Sequence, residues 1–343
     1  GTAYTFYSEL LADHSLWSWG RNNQGQLGQN GPTSPANVGY SSPVQIGSNI
    51  NWLDLPLSSA TSDYMGVLNA DGELWMWGTG TRGELGQNDI IRRSSPVQVP
   101  GTTWGGSTTS LGNKTHLSLG NNRTACIKTD GTLWSWGYNR FGSIGVNNET
   151  QYSSPVQIPG TTWTTKSDVS FGQIQAIKSN GTLWSWGYNQ TGNLGLNDRT
   201  NRSSPTQIPG TTWDVSDFDK ISADFYSCGA IKTDGTLWMW GVNNRGQLGQ
   251  NEGINKDKSS PCQVGSDTTW KYISTGSNGS NATFGVKTDG TAWAWGNGTH
   301  GALGVNNRTV YSSPIQVGSN TNWKQLGGTS HITLLGAHVP SST

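Results

Sequence analysis

One phrase, Trp-x-Trp-Gly, occurs six times in the chain. Its first tryptophan stands at positions 17, 75, 134, 184, 238 and 293, at intervals of 50–59 residues. Each copy is followed by Ser-Ser-Pro-x-Gln-[Ile/Val] and then by a single tryptophan, and together these positions account for all 18 tryptophans. A regular interval of this length predicts a series of similar units that bury their apolar faces against one another.

Each unit is predicted to contain four short strands. Asp-Gly precedes four copies of the phrase and Asn180-Gly181 precedes a fifth, and such pairs favour tight hairpin turns. The phrase alternates, so its two tryptophans share one face of a strand. We therefore expect Trp134, Trp136 and their equivalents to be buried between neighbouring units. The proline of the Ser-Ser-Pro phrase favours an edge strand, because proline cannot donate to a ladder.

Repeated four-stranded units with large flat side chains predict an all-β fold, a single β-propeller over residues 1–343. Six blades are preferred and seven remain possible. The predicted units are 52–103, 104–162, 163–212, 213–269, 270–322, and a split unit of 323–343 plus 1–51. We expect the N- and C-terminal strands to close the ring, with residues 323–337 pairing in the same blade as residues 15–20.

The full unit, [Ala/Gly]-[Ile/Val]-Lys-Thr-Asp-Gly-Thr-Leu-Trp-x-Trp-Gly-x-Asn-x-x-Gly-x-Leu-Gly followed by Pro-x-Gln-[Ile/Val], resembles the regulator-of-chromosome-condensation repeat. The resemblance covers almost the whole chain and implies a propeller. It implies no single function, because the family includes a nuclear nucleotide-exchange factor, a plant ultraviolet-B photoreceptor and a secreted bacterial β-lactamase inhibitor. The Asn-, Ser- and Thr-rich wording is similar to repeats of bacterial and bacteriophage surface proteins.

This resemblance implies a non-enzymatic structural or recognition module, displayed outside the cell on a virion or cell surface, with a protein or glycan partner. The alternative is an intracellular protein-binding regulator of the nucleotide-exchange-factor type. Basic and acidic residues are equal in number, at 21 each, which argues against a nucleic-acid partner. No apolar run is long enough to span a membrane. The sequence leaves the oligomeric state open.

No pattern indicates catalysis, a metal site or a cofactor. The three cysteines form no Cys-x-x-Cys pair, and the five histidines form no His-x₃-His cluster. The recurring aspartate of Thr-Asp-Gly-Thr is explained by the hairpin turn. The recurring lysines are interpreted as a solvated strand face; they are Lys128, Lys178, Lys232 and Lys287.

Recognition residues are sought among positions that vary within the repeat, because binding side chains concentrate on loops held by a rigid scaffold. The first row follows Trp-Gly and contains arginines and rings, the usual interface anchors: Arg21, Arg82, Tyr138, Arg140, Phe141, Tyr188, Arg245 and His300. The second row precedes Ser-Ser-Pro and contains Tyr40, Arg93, Tyr152, Arg202, Lys258 and Tyr311. We expect one of these rows to contact the partner.

Overall fold

The computed structural model describes residues 6–31, 39–49, 51–55, 63–105, 116–169, 172–216, 220–224, 226–276, 281–328 and 333–337. Two compact units are distinguished, one of residues 1–172 with 203–205 and one of residues 173–202 with 206–343. The described residues form 25 strands and a 3-10 turn at Arg140–Gly142. The chain is therefore all-β, as predicted.

Up to residue 172 the strands are β1 Phe6–Leu10, β2 Leu16–Arg21, β3 Gly39–Gln45, β4 Trp52–Asp54, β5 Tyr64–Asn69, β6 Leu74–Gly78, β7 Arg93–Gln98, β8 Leu117–Gly120, β9 Arg123–Ile127, β10 Leu133–Gly137, β11 Tyr152–Gln157 and β12 Trp163–Val169. From residue 173 they are β13 Gln173–Lys178, β14 Leu183–Gly187, β15 Arg202–Gln207, β16 Ile221–Ala223, β17 Ser227–Ile231, β18 Leu237–Gly241, β19 Lys258–Gln263, β20 Trp270–Thr275, β21 Ala282–Lys287, β22 Ala292–Gly296, β23 Tyr311–Gln316, β24 Trp323–Gly328 and β25 Thr333–Ala337.

Each Trp-x-Trp-Gly strand lies in a sheet of its own. Sheet I is β1-β2-β3, and five four-stranded sheets follow: II is β4 to β7, III is β8 to β11, IV is β12 to β15, V is β16 to β19 and VI is β20 to β23. A further pair, β24-β25, begins at the last tryptophan. The Ser-Ser-Pro strand lies at one edge of each of the six sheets, which confirms its predicted place.

The Asp-Gly turns have the chemistry that the sequence predicts. In sheet III, Asp130 accepts hydrogen bonds from the backbone N–H and the hydroxyl of Thr132 at 2.9 and 2.6 Å. Gly131 has a φ of 75°, which a tight hairpin turn requires. The Thr132 hydroxyl in turn accepts from the Trp134 indole at 2.9 Å. These bonds lower the pKa of Asp130, so a structural role accounts for the recurring aspartate.

The two tryptophans of the phrase have different surroundings. Trp136 is completely buried, and its indole N–H donates to the Glu84 backbone oxygen in the loop that leaves sheet II, at 2.9 Å. Trp134 is half-buried and lies edge-on to the single Trp104 of its own sheet, at 6.1 Å between ring centroids. The predicted burial is therefore confirmed for the second tryptophan in sheets II to VI and only partly for the first, whereas the second tryptophan of sheet I, Trp19, is half-buried.

In sheet I, β2 pairs with β1 through a hairpin whose turn contains His14 at a φ of 65°, where the other units have glycine. The sequence did not predict this hairpin, whose short loop costs little conformational entropy to close. β24 pairs with β25. The placement of residues 323–337 in the same blade as residues 15–20 stays a prediction.

The recurring lysines are not a solvated strand face, and this interpretation is corrected. Lys128 lies over the rings of Trp104 and Trp134, with its ammonium 4.5 and 4.6 Å from their centroids. Lys178, Lys232 and Lys287 stack on tryptophans in sheets IV, V and VI. The negative face of an indole ring attracts an ammonium group, and this attraction orients the lysines inward.

Candidate partner-binding surface

A loop follows each Trp-Gly and is held by a buried asparagine side chain in four sheets. The Asn139 carbonyl oxygen accepts the Ile144 backbone N–H at 2.7 Å, and Asn243 does the same for Leu248 at 3.0 Å. Asn22 and Asn189 bind Leu27 and Leu194 in the same way. The asparagine of Gly-x-Asn is therefore structural, and the residues beside it are presented on a fixed backbone.

The loops of sheets I to V also contact the Ser-Ser-Pro strand of the next sheet. Gly83 lies so close to Ser153 that an added Cβ would come within 2.6 Å of the Ser153 Cα. The Asn88 backbone N–H donates to the Ser153 oxygen at 2.7 Å. The backbone oxygens of Ser94 and Ser259 accept equivalent hydrogen bonds from the loops of sheets I and IV. These contacts fix the loop and explain its glycines.

The first predicted row is partly brought together by the structure. The Arg82 guanidinium lies 5.0 Å from the Tyr138 ring centroid, so the loop of sheet II contacts the loop of sheet III. Arg140 lies 4.7 Å from the Phe141 ring centroid, and Arg21 lies 3.7 Å from Asp63 at the start of β5. Arg82 and Arg140 are exposed. The result is a ridge of arginines and rings, which we call the arginine–aromatic ridge: Arg82, Tyr138, Arg140 and Phe141.

The remaining members of the first row lie in the second unit. Tyr188 is half-buried, and its hydroxyl lies 3.4 Å from Gln190 Oε1. Arg245 is exposed while its backbone N–H donates to Gln247 Oε1 at 2.8 Å. His300 is also exposed.

The second predicted row lies at the same end of the sheets as the first. Tyr40, Tyr152 and Tyr311 stand opposite Gly20, Gly137 and Gly296, the glycines that end the Trp-x-Trp-Gly strands. Tyr152 packs against the core, and its hydroxyl accepts from Asn148 at 2.9 Å. The charged members form ion pairs, Arg93 with Asp89, Arg202 with Asp198 and Lys258 with Glu252. These structural contacts favour the first row as the recognition element.

Two exposed isoleucines beside the ridge were not singled out from the sequence. Ile90 and Ile91 are 59% and 58% exposed and precede Arg93, which pairs with Gly78 at the same sheet end. Ile254 occupies the corresponding loop of sheet V and is 48% exposed. Apolar side chains next to arginines and rings are a common composition of protein interfaces. These residues could have been found in the sequence by comparing the segments between Gly-x-Leu-Gly and Ser-Ser-Pro in the six units.

A buried polar cluster contacts the backbone of the arginine–aromatic ridge. The Tyr64 hydroxyl shares its proton between the backbone oxygens of Gly120 and Arg123, at 2.8 and 2.5 Å. Arg123 Nε donates to the backbone oxygen of Tyr138 at 3.3 Å. Burial lowers the pKa of Arg123 to about 10 and raises that of Tyr64. The cluster therefore fixes the backbone that carries Tyr138.

Glu84 is a buried acid in the loop that carries Arg82. One carboxylate oxygen accepts the Arg82 backbone N–H at 2.6 Å, while the other makes no hydrogen bond within the described chain. Burial raises the pKa of Glu84 to about 7. Gln26 and Gln247 occupy this position in the loops of sheets I and V, and each uses its amide nitrogen as a donor. Protonated Glu84 would supply the same donor.

Nothing in the described part of the chain has the arrangement of a metal site, since no three His, Cys, Asp or Glu side chains are grouped to hold an ion. The described residues also contain no helix of the length and hydropathy needed to cross a membrane.

The family model described as the regulator of chromosome condensation (RCC1) repeat matches residues 13–53, 71–127, 130–173, 180–219, 234–282 and 289–335. The chain is 26% identical over 296 residues to the ultraviolet-B receptor UVR8 of Arabidopsis thaliana, covering 86% of this chain and 52% of that protein. It is 26% identical over 324 residues to the mitochondrial RCC1 domain-containing protein RUG3 of the same plant, covering 88% of this chain and 70% of that protein. The chain thus spans about half the length of UVR8.

The solved structure of Prp20p from Saccharomyces cerevisiae, described with its binding to Gsp1p and histones, superimposes with a TM-score of 0.75. The identity is 19%, covering 98% of this chain and 81% of Prp20p, so this likeness shows the fold. It confirms the predicted β-propeller, and the six Trp-x-Trp-Gly sheets fit six blades.

These comparisons contradict one expectation from the sequence and do not support another. An extracellular or virion-surface location is contradicted, because the relatives include a mitochondrial protein. The likeness to bacterial or bacteriophage repeats finds no support in relatives from a plant and a yeast.

Proposed function

Because the chain belongs to the RCC1 repeat family, we propose that it is an intracellular protein-binding regulator that performs no chemistry of its own. The arginine–aromatic ridge is the observation that supports this proposal. Its side chains are of the types that dominate binding energies at protein interfaces. Prp20p, a protein of the same fold, binds Gsp1p and histones, which supports a protein as the class of partner.

The geometry of the ridge suits recognition. Its loops are fixed by buried asparagines and by contacts with the next sheet, so little conformational entropy is lost when a partner binds. Ile90 and Ile91 add apolar area beside Arg82. We propose that a protein partner covers Arg82, Tyr138, Arg140 and Phe141 together with these two isoleucines.

The test compares three forms of the chain in affinity purification with quantitative mass spectrometry. The ridge variant carries Arg82→Ala, Tyr138→Ala, Arg140→Ala and Phe141→Ala. The control variant carries Thr129→Ala, Thr161→Ala and Thr211→Ala, three exposed residues near the hairpin-turn end of the sheets. We expect the parent and the control to retain the same proteins and the folded ridge variant to lose them. Equal retention by the ridge variant would contradict the proposal.

A further inference from the structure

Several sheets hold an ammonium group between two tryptophans. In sheet V the Lys232 ammonium lies 5.1 Å from the Trp213 ring centroid and 4.2 Å from that of Trp238. In sheet VI, Lys287 lies 5.0 and 3.8 Å from two equivalent rings. Sheet III has the same arrangement around Lys128. The single tryptophan and the first tryptophan of Trp-x-Trp-Gly thus form an aromatic pair that binds a cation within the chain.

Sheet II has the same aromatic pair without the lysine. The ring centroids of Trp52 and Trp75 are 6.2 Å apart at 85°, against 6.1 Å and 79° for the pair in sheet III. Asn69 pairs with Trp52 where Lys128 bridges to Trp104. The Asn69 amide turns to Glu73, with Nδ2 2.7 Å from Oε2. The asparagine therefore does not supply the cation that the other pairs contain.

A cavity of about 420 Å³ lies at this place in sheet II. This volume falls within the roughly 300–1,000 Å³ of ligand pockets. The lining contains both tryptophans and neutral residues: Gly28, Gln29, Asn30, Ile46, Gly47, Ser48, Asn49, Trp52, Trp75, Ser95 and Pro96. The loop Ile46–Asn49 corresponds to Val99–Thr102, where a Cβ on Gly101 would lie 3.7 Å from the Lys128 ammonium. The cavity is thus bordered by the two tryptophans and by the loop whose counterpart contacts the Lys128 ammonium in sheet III.

The charge around the cavity also favours a cation. Glu73 accepts the Trp75 indole N–H at 3.3 Å, a role that the hydroxyls of Thr132 and Thr236 have in sheets III and V. Asp71 lies in the same hairpin turn, two residues before Glu73, and its carboxylate accepts a hydrogen bond from the Asn51 amide at 2.9 Å. Sheet II therefore has one more carboxylate and one less ammonium here than sheet III, whereas in sheet VI Asp267 pairs with the Lys287 ammonium at 2.5 Å. Aromatic rings beside negative charge are a usual recognition site for ammonium groups.

We propose that the cavity beside Trp52 and Trp75 binds a lysine-type ammonium group, unmodified or N-methylated, from a protein partner. The partner's side chain would take the position that Lys128 and Lys232 occupy in their own sheets. This inference deepens the proposed function, because it names one chemical group of the partner.

The first experiment uses the parent protein and small probes in isothermal titration calorimetry. The probes are Nα-acetyl-lysine methylamide, its Nε-trimethyl form, and the neutral analogue of the latter in which carbon replaces the ammonium nitrogen. We expect the better of the two cations to bind about 3- to 30-fold more tightly than the neutral analogue, since a cation–π contact has this magnitude. The ratio of the two cations tells which form is preferred. Equal affinity of the neutral analogue, or no binding of either cation, would overturn the proposal.

Two exchanges between sheets locate the site. Asn69→Lys with Glu73→Thr gives sheet II the residues of sheet III, and the internal lysine should reduce probe affinity at least about tenfold. The reciprocal Lys128→Asn with Thr132→Glu should create a second binding site in sheet III. Unchanged probe affinity in a folded Asn69→Lys, Glu73→Thr protein would place the site elsewhere. The comparison with the neutral analogue does not depend on either variant.

The ridge variant separates this inference from the proposed function. None of its four substituted residues lines the cavity, so it should bind the cationic probes as the parent does. If the ridge variant keeps its protein partners, the proposed function fails while the probe result stands. If the parent does not bind the probes but loses partners when the ridge is changed, only the present inference fails.

Discussion

Sheets II and V and their loops are built on the same frame, yet three of the positions at which they differ change the charge or the hydrogen-bonding group. Their tryptophan pairs have nearly the same geometry, with ring centroids 6.2 and 6.5 Å apart. In each, the second tryptophan donates to a backbone oxygen of the preceding loop, Trp77 to Gln26 and Trp240 to Asn193. The second tryptophan thus joins sheet II to the loop of sheet I and sheet V to the loop of sheet IV in the same way.

These three positions are Lys232, Thr236 and Gln247 in sheet V and its loop, against Asn69, Glu73 and Glu84 in sheet II and its loop. Asn69 lacks the positive charge of Lys232, and Glu73 and Glu84 each add a carboxyl group. None of them disturbs the hairpin or the loop backbone. The repeat therefore fixes the groups that join strands and sheets, while the side chains around them can acquire a separate function.

The largest effects should be shared by the two sheets. Trp77→Ala and Trp240→Ala should each lower the free energy of unfolding by about 3–5 kcal/mol, because each removes a completely buried ring. The half-buried Trp75 and Trp238 should cost less when they are replaced by alanine. Urea denaturation of the four variants measures the difference. A cost below about 1 kcal/mol for either buried tryptophan would show that the frame is not shared.

Glu84 should make the stability depend on pH. Its pKa is raised by burial to about 7, above the value of about 4.3 for an unfolded chain. The folded state therefore holds its proton more tightly, and stability should fall as the pH rises from about 4 to 7. The loss is about 4 kcal/mol at most, because the two pKa values differ by about 2.7 and each pKa unit corresponds to about 1.4 kcal/mol.

The exchange of acid and amide tests this effect. Glu84→Gln should remove the pH-dependent loss and be more stable than the parent at pH 8, since its amide provides the donor that Gln247 has. Gln247→Glu should introduce a similar loss into sheet V. Both are followed by denaturant unfolding at pH 5 and pH 8. The same pH dependence in the parent and Glu84→Gln would assign it to another group.

A smaller effect is expected at the lysine position. Lys232→Asn should lower the free energy of unfolding by about 1 kcal/mol, because it removes the ammonium from two indole rings. Asn69→Lys should raise it by a similar or smaller amount, since it fills the equivalent space in sheet II. Thermal unfolding of both variants and the parent in the same buffer shows which substitution lowers and which raises the stability. A stabilising Lys232→Asn would show that the aromatic pair does not favour a cation.

The smallest effects on stability should come from Arg82 and Arg245, the exposed arginines at equivalent positions in the loops of sheets II and V. Arg245→Ala should change the free energy of unfolding by less than about 0.5 kcal/mol, because the side chain is exposed. Arg82→Ala should cost about 0.5–1 kcal/mol, since the guanidinium contacts Tyr138. Equal effects would show that the contact within the ridge contributes nothing to the folded state.

Much of the fold could be predicted because its signals are local. The Asp-Gly turns, the alternation of Trp-x-Trp and the edge proline act within a few residues, and each is found in the structure where it was predicted. The pairing of β2 with β1 was missed, because in sheet I the turn glycine is replaced by His14 and the hairpin signal is absent. The candidate rows were found, but their common location depends on the register that places Tyr152 opposite Gly137.

The sequence by itself determined the repeating unit, the all-β class and the positions that vary, because these follow from spacing and from turn chemistry along the chain. Only the tertiary structure decided which tryptophan is buried, that Lys128 lies on two rings, and that Trp52 and Trp75 border a cavity. These properties arise where side chains distant in sequence meet across strands and sheets. Their energies depend on burial and on neighbouring charge, and neither quantity is defined before the chain has folded.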